Sequence, residues 1–132
     1  MNRKILVLDI DGTLVNDKKE ITPKTKEKLM EMQKAGHVLM LATGRPTPGA
    51  ARFVKELKLD EYGGYLLSYN GGRIMNCKTK EVMYQKVLPK EVIPKLYAFA
   101  KAHKCGIITY EKDTVILGNG IDQYIEWEAK LN

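Results

Sequence analysis

In the first half of the chain, apolar residues fall into three short runs separated by longer, more polar stretches. The runs are residues 5–8, 38–42 and 65–69, and each is followed by small polar residues or glycine. Continuous apolar runs of this length are typical of strands that are buried on both faces of a parallel sheet. The pattern therefore predicts three buried strands in this half of the chain.

The stretches between these runs carry helix signals. Thr22-Pro23 predicts a helix start, because threonine caps helices and proline favours the first helical position, and Gly36 predicts the end of that helix. Thr47-Pro48 repeats the start signal, and Gly63-Gly64 predicts the second end. Strands that alternate with helices predict an α/β fold with a Rossmann-like parallel sheet and right-handed crossovers.

The pattern changes after the tight-turn signal Asn70-Gly71-Gly72. The residues that follow predict a hairpin over 73–77 and 81–86, and the composition shifts at Leu88-Pro89. The elements predicted beyond it are a helix over about 90–104, strands over 107–110 and 114–117 with a turn at 111–113, and a helix from about Ile121. We therefore expect two domains, formed by residues 1–87 and 88–132.

Composition limits the kind of protein further. The chain has 132 residues, of which 44% are apolar, and contains no run long enough for a membrane span or a signal peptide, so we expect a cytoplasmic protein. Cys77 and Cys105 lack metal-ligand spacing, which predicts free thiols. The net charge of +6 is scattered rather than clustered, which favours an ordinary solvated lysine surface over nucleic-acid binding. A modest positive field would also suit an anionic small molecule.

Two carboxylates follow the first apolar run directly, in Asp9-Ile10-Asp11-Gly12-Thr13-Leu14. Placing two carboxylates together at a buried strand end is costly unless a cation or hydrogen-bond donors compensate, so the pair predicts a metal site or acid–base chemistry. Asp11-Gly12 alone is also a common turn. Thr43-Gly44 and Asn70 follow the next two strands, and in such sheets ligands bind at the carboxyl ends of the strands.

The motifs resemble those of the haloacid dehalogenase-like hydrolases, and most closely the Cof-type class IIB phosphatases. The resemblance rests on residues 9–14, on Leu-Ala-Thr-Gly-Arg-Pro at 41–46 and on Ser-Tyr-Asn-Gly-Gly at 68–72. It implies the N-terminal part of a Rossmann-like core over residues 1–87 and the beginning of an α/β cap over 88–132. The later lysine and acidic Gly-Asp motifs of that family are absent from the sequence, so we expect about the N-terminal half of such an enzyme, inactive by itself.

The resemblance implies a Mg²⁺-dependent phosphatase of small phosphorylated metabolites, with sugar phosphates as the expected class. Asp9 would be the nucleophile that forms an aspartyl-phosphate, and Asp11 the general acid and base. Both would bind the metal, Asp9 through its side chain and Asp11 through its backbone carbonyl. The proximity of the two carboxylates would raise the pKa of one of them.

Candidate phosphate-binding residues lie on all three loops. They are Asp11, Gly12, Thr43, Gly44, Arg45 and Asn70. A hydroxyl and free backbone N–H groups near a helix start suit an anion, although Thr43-Gly44 is also compatible with an ordinary strand-to-helix turn. Arg45 either clamps phosphate or pairs at the surface, and Asn70 either donates to phosphate or only occupies a left-handed turn position.

Two other functions stay open. A phosphomutase would share the aspartyl-phosphate, and nothing in the sequence separates it from a phosphatase. A non-catalytic module would instead use the edge and the apolar face of an incomplete sheet to self-associate or to bind a complementary chain. A small phosphorylated metabolite is the expected partner, and neither nucleic acid nor a membrane is expected.

Overall fold

The structure is a computed structural model that describes residues 2–111, 114–120 and 122–131. It divides into two compact units, the first ending at Lys86 and the second beginning at Val87. Part of the turn expected at 111–113 and the expected helix start at Ile121 lie outside the described residues.

The first unit is built on a five-stranded mixed sheet. Its strands, in spatial order, are β1 (Ile5–Leu8), β2 (Val38–Ala42), β3 (Tyr65–Ser68), β4 (Arg73–Asn76) and β5 (Val82–Gln85). The first three strands are parallel, and the last two add an antiparallel hairpin beside β3. The helices are α1 (Pro23–Lys34), α2 (Thr47–Glu56) and the short α3 (Leu59–Tyr62). This arrangement confirms the predicted α/β fold.

Helix α1 follows its sequence signals closely. The Thr22 hydroxyl accepts a hydrogen bond from the Thr25 amide at 3.3 Å, Pro23 is the first helical residue, and Gly36 has a φ of +86° just beyond the end. The apolar stripe buries Leu29. The pattern missed Gln33, which is also buried and donates its side-chain amide to the Leu57 carbonyl at 2.9 Å.

Helix α2 departs from its predicted bounds at both ends. Pro46 occupies the cap position that was expected for Thr47, whose hydroxyl shares a hydrogen bond with the Ser68 hydroxyl at 2.9 Å. The helix ends at Glu56 rather than at Gly63-Gly64 because Lys58 adopts a left-handed φ of +53°. This turn brings Leu57 and Leu59 together into the core, where both are fully buried.

The core of the first unit lies around β2 and β3. Its buried apolar residues are Ile10, Leu14, Val15, Ile21, Leu29, Leu39, Leu41, Ala50, Phe53, Val54, Leu57, Leu59, Leu66 and Cys77. β1 contributes none of them: Ile5 is 61% exposed and Val7 is 53% exposed. The expectation that β1 is buried on both faces is therefore wrong for the described residues, in which β1 is an edge strand paired only with β2.

The second unit consists of α4 (Ile93–Ala102), β6 (Ile108–Glu111), β7 (Thr114–Leu117) and α5 (Gln123–Leu131). A 3₁₀ turn over Lys90–Val92 precedes α4, so that helix begins later than expected, with Pro94 in its first turn. β6 and β7 form an antiparallel pair. Within the described parts of the chain, every helix is too short or too polar to cross a membrane.

The exposure of β1 predicts unequal effects of one substitution on two paired strands. Leu6 and Leu39 are register partners, but Leu39 is fully buried and Leu6 is 37% exposed. Leu39→Ala is expected to lower the free energy of unfolding by about 2–5 kcal/mol, because it removes buried methyl groups and leaves a cavity. Leu6→Ala is expected to cost clearly less. Urea unfolding followed by far-UV circular dichroism measures both, and equal losses would show that β1 is covered in solution.

Candidate active site

The parallel strands bring the predicted loops to one edge of the sheet. Leu8 of β1 is level with Leu41 of β2, and Ala42 is level with Leu67 of β3. The residues that follow these strands therefore lie side by side, as expected from the sequence. They include Asp9, Asp11 and Gly12 after β1, Thr43, Gly44 and Arg45 after β2, and Asn70 after β3.

The loop after β1 forms a single tight turn. The carbonyls of Asp9 and Ile10 both accept the Leu14 amide at 3.1 Å, and the side chain of Ile10 is fully buried beneath the turn. Gly12 has a φ of +81°, and a Cβ there would meet no atom within 4 Å. Glycine is thus favoured by the backbone conformation rather than by crowding. Asp9 is left exposed, and its carboxylate carries no ion pair or hydrogen bond among the described residues.

Asp11 is held by two cations. The Arg45 guanidinium donates to both carboxylate oxygens, from Nε to Oδ2 at 2.7 Å and from Nη2 to Oδ1 at 2.8 Å. The Lys19 ammonium donates to Oδ1 at 2.9 Å. Arg45 is only 7% exposed, which rules out the surface pairing considered from the sequence, and it also donates to the Gly49 carbonyl at 3.3 Å.

These cations set the charge of Asp11. The hydrogen bond from Arg45 is the main cause that lowers the pKa of Asp11 far below its ordinary value of 3.8, with Lys19 adding to it, while partial burial acts in the opposite direction. The sequence suggested that a neighbouring carboxylate would raise the pKa of one member of the pair. For Asp11 the direction is the reverse, because hydrogen bonds to the charged form outweigh desolvation. Asp11 is therefore a carboxylate at neutral pH.

The loops after β2 and β3 are tied together by their backbones. The Asn70 amide donates to the Thr43 carbonyl at 3.1 Å, and the Tyr69 amide donates to the Arg45 carbonyl at 3.0 Å. The Thr43 hydroxyl, which is buried, accepts the Arg45 amide at 3.1 Å. That bond uses the oxygen as an acceptor, so the hydroxyl proton remains available to an anion.

Asn70 adopts the left-handed turn conformation that was considered for it from the sequence, with a φ of +53°. Tyr69 has the same φ, which is uncommon for a bulky residue. The Asn70 side chain lies against Gly44, where an added Cβ would be only 3.0 Å from its Oδ1 atom. A side chain at position 44 would crowd the side-chain amide of Asn70, so glycine favours the close approach of the two loops.

The donor set fits part of a magnesium site. Mg²⁺ prefers oxygen ligands and usually keeps several waters, so it needs few protein groups. Asp9 offers an exposed carboxylate, and Asp11 offers a nearby backbone carbonyl. Within residues 2–111, 114–120 and 122–131, no group of three or more acidic, histidine or cysteine side chains is arranged to hold a metal ion. These donors would therefore hold the ion only together with water, substrate or further ligands.

Sequence reasoning missed two residues at this site. Lys19 belongs to the polar stretch after β1, to which the sequence pattern assigned no role, although it contacts Asp11. Arg52 supports that turn by donating to the Lys19 carbonyl at 2.9 Å. The contact between Lys19 and Asp11 could not be recognised from the sequence, because lysines are scattered along the whole chain. The contact between Arg52 and Lys19 joins residues that lie 33 positions apart.

Comparison with known sequences gives a consistent picture. The family description "haloacid dehalogenase-like hydrolase" matches residues 6–132. A relative from Bacillus subtilis (strain 168), named "Putative phosphatase YxeH", is 37% identical over 127 residues, which are 96% of this chain and 47% of the relative. The chain thus spans about half the length of this curated relative.

Comparison with solved structures agrees. A haloacid dehalogenase-like hydrolase from Bacteroides thetaiotaomicron is 46% identical, with a TM-score of 0.91 over 98% of this chain and 49% of that one. The subclass IIB sugar phosphatase BT4131 is 23% identical, with a TM-score of 0.72 over 96% of this chain and 47% of that one. The second likeness shows the fold alone.

The Asp11 ion pairs predict a pH dependence of stability. Because the pKa of Asp11 is lower in the folded state than its ordinary 3.8, the stabilisation is fully present above that value and is lost as the pH falls below it. Asp11→Asn should therefore lower stability at pH 7 and flatten the loss of stability between about pH 5 and pH 2. Urea unfolding at a series of pH values measures this. The control is Asp17→Asn, a change at an exposed acid of the same loop. If its stability were equally independent of pH, the acid dependence could not be assigned to Asp11.

Proposed function

The chain belongs to the haloacid dehalogenase-like hydrolases, and from this we propose that the protein is a Mg²⁺-dependent phosphatase of small phosphorylated metabolites. The observation that carries the proposal is the contrast between its two acids. Asp9 is exposed and carries no partner among the described residues, whereas Asp11 beside it is neutralised by Arg45 and Lys19. One carboxylate is thus available to attack, and the other is held in place.

In the first half-reaction, an Asp9 carboxylate oxygen bonds to phosphorus and the bond to the substrate oxygen breaks. The product is an aspartyl-phosphate and an alcohol, whose oxygen takes a proton from Asp11. Asp11 is ionised while its ion pairs are intact. To donate the proton it must first be protonated, so the pairing has to loosen when substrate binds.

In the second half-reaction, Asp11 accepts a proton from water while the water oxygen bonds to phosphorus. The bond between Asp9 and phosphorus breaks, which releases inorganic phosphate and restores the Asp9 carboxylate. Asp11 is ionised in this structure, so it can accept this proton, but the ion pairs that lower its pKa also weaken it as a base and have to loosen for this step.

The remaining residues would bind the phosphoryl oxygens. The Thr43 hydroxyl and the Gly44 amide lie on the loop just before α2, and the Asn70 side chain lies against Gly44 from the loop after β3. Backbone N–H groups and the positive end of a helix dipole favour an anion at this place. When bound to Asp9 and the Asp11 carbonyl, Mg²⁺ would offset the repulsion between carboxylate and phosphate.

Sugar phosphates are the substrate class we favour. The support is the fold shared with BT4131, which is described as a sugar phosphatase. The net charge of +6 also suits an anionic metabolite. The expected location in the cytoplasm stays part of this proposal.

Replacement of the proposed nucleophile gives a direct test. Asp9→Asn should reduce Mg²⁺-dependent release of inorganic phosphate from hexose phosphates by about a thousandfold or more, because the attacking carboxylate is lost. The assay uses the longest form that the reading frame encodes, together with residues 1–132 alone, for which we expect little turnover. Measuring free phosphate also separates a phosphatase from a mutase, which would return the phosphoryl group to a sugar.

The control for this assay is Asp17→Asn, which should leave the rate within about twofold of the unchanged protein. Full turnover by Asp9→Asn, or turnover that persists after all divalent ions are removed, would contradict the proposal. Robust Asp9-dependent turnover by residues 1–132 alone would contradict only the expectation that this part is inactive.

A second role is favoured by the exposure of β1. We propose that residues 1–132, taken alone, self-associate through the open edge of this strand, since unpaired N–H and C=O groups beside an exposed apolar face invite another strand. This role as an assembly module does not require catalysis.

Substitutions at the two sheet edges test this association. Val7→Lys on β1 should yield a monomer, because a charged side chain disfavours strand pairing at that edge. Val82→Lys on β5, the opposite edge of the sheet, is the matched control and should leave association unchanged. Light scattering after size exclusion measures the mass. A monomeric unsubstituted chain at about 100 µM would sink the idea, because even weak specific pairing is detectable there.

A further inference from the structure

Of the two cations that contact Asp11, Lys19 is the more exposed. Its side chain is 42% exposed, and its ammonium lies 2.9 Å from Asp11 Oδ1. Arg45, the other partner of the same carboxylate, is 7% exposed. The two cations therefore differ in how freely they can move.

The backbone of Lys19 is fixed although its side chain is not. The Lys19 amide donates to the Asn16 carbonyl at 2.9 Å, and the Asn16 side chain accepts the amides of Lys18 and Glu20 at 3.0 Å. Arg52 holds the Lys19 carbonyl from α2. Lys19 itself has a φ of +61°, a conformation that persists in a non-glycine residue only where the surroundings impose it. The turn thus aims a flexible four-carbon side chain at the site.

Release of Lys19 would leave no buried charge without a partner. Arg45 Nε still bonds Oδ2, and Nη2 still bonds Oδ1, so both oxygens of Asp11 stay paired. Release of Arg45 would cost more, because its guanidinium is buried beside the Gly49 carbonyl and the Phe53 ring and would lose its two hydrogen bonds to the Asp11 carboxylate. Lys19 is the cation that can be exchanged at low cost.

We propose that Lys19 is a substrate-binding residue that transfers its ammonium from Asp11 to the phosphoryl oxygens of a bound phosphate monoester. The inference rests on the proposed function and adds to it a phosphate ligand on the loop after β1. A phosphate dianion attracts an ammonium more strongly than a carboxylate already neutralised by arginine.

The experiment is a titration of the ¹⁵N-labelled chain with inorganic phosphate in the presence of Mg²⁺, followed by the amide signals of Gly12 and Gly44. Lys19→Met should weaken phosphate binding about tenfold, because a charge-assisted hydrogen bond is lost. Lys18→Met removes the same charge from the neighbouring exposed position and should change the dissociation constant by less than about twofold. Lys19→Arg should restore most of the affinity.

The outcomes distinguish the role of Lys19 from the existence of the phosphate site. Equal dissociation constants for Lys19→Met and the unchanged chain would overturn the role of Lys19 while leaving a phosphate site, and with it the proposed function, intact. Absence of any shift at Gly12 and Gly44 in the unchanged chain would overturn the phosphate site in residues 1–132, and the exchange with it. If the spectrum of Lys19→Met is that of an unfolded chain, Lys19→Gln replaces it. The same weakening of phosphate binding is expected for Lys19→Gln.

Discussion

The ion pair between Asp11 and Arg45 is the interaction on which the site depends. Arg45 is buried after β2, and its guanidinium has to be compensated by a carboxylate, which Asp11 supplies from the loop after β1. A buried cation that lost this partner would be strongly destabilising. The pair therefore fixes the two loops relative to each other, and the Arg45 carbonyl extends the connection to Tyr69 after β3.

This constraint also separates the two acids by role. Both oxygens of Asp11 are occupied by donors, so its charge and orientation are set by the protein. Asp9 is exposed and takes part in no such network within the described residues. Two carboxylates that lie only two positions apart are thus given different environments, which is the usual way in which a fold assigns them different chemistry.

The regular elements were predicted well where their signals are local. The strand at 5–8, the threonine–proline start of α1 and the hairpin after Asn70 all form as expected, because each depends on residues within a few positions. The burial expected for the strand at 5–8 was wrong. The bounds of α2 were wrong at both ends. At its start, the Thr47 hydroxyl shares a hydrogen bond with the Ser68 hydroxyl instead of capping the helix. At its end, the left-handed turn at Lys58 places Leu57 and Leu59 in the core. Neither feature is visible in the local pattern.

The sequence by itself determined the α/β fold, the family and the edge of the sheet at which the polar residues gather, because apolar runs and strand order suffice for these. Only the tertiary structure decided the pKa direction of Asp11, the burial of Arg45, the contact of Lys19 and the exposure of β1. A charge state depends on neighbours in space, and the two donors to Asp11 come from positions 8 and 34 residues away. The exposure of an apolar strand likewise depends on which elements cover it, and this cannot be predicted from the residues of the strand itself.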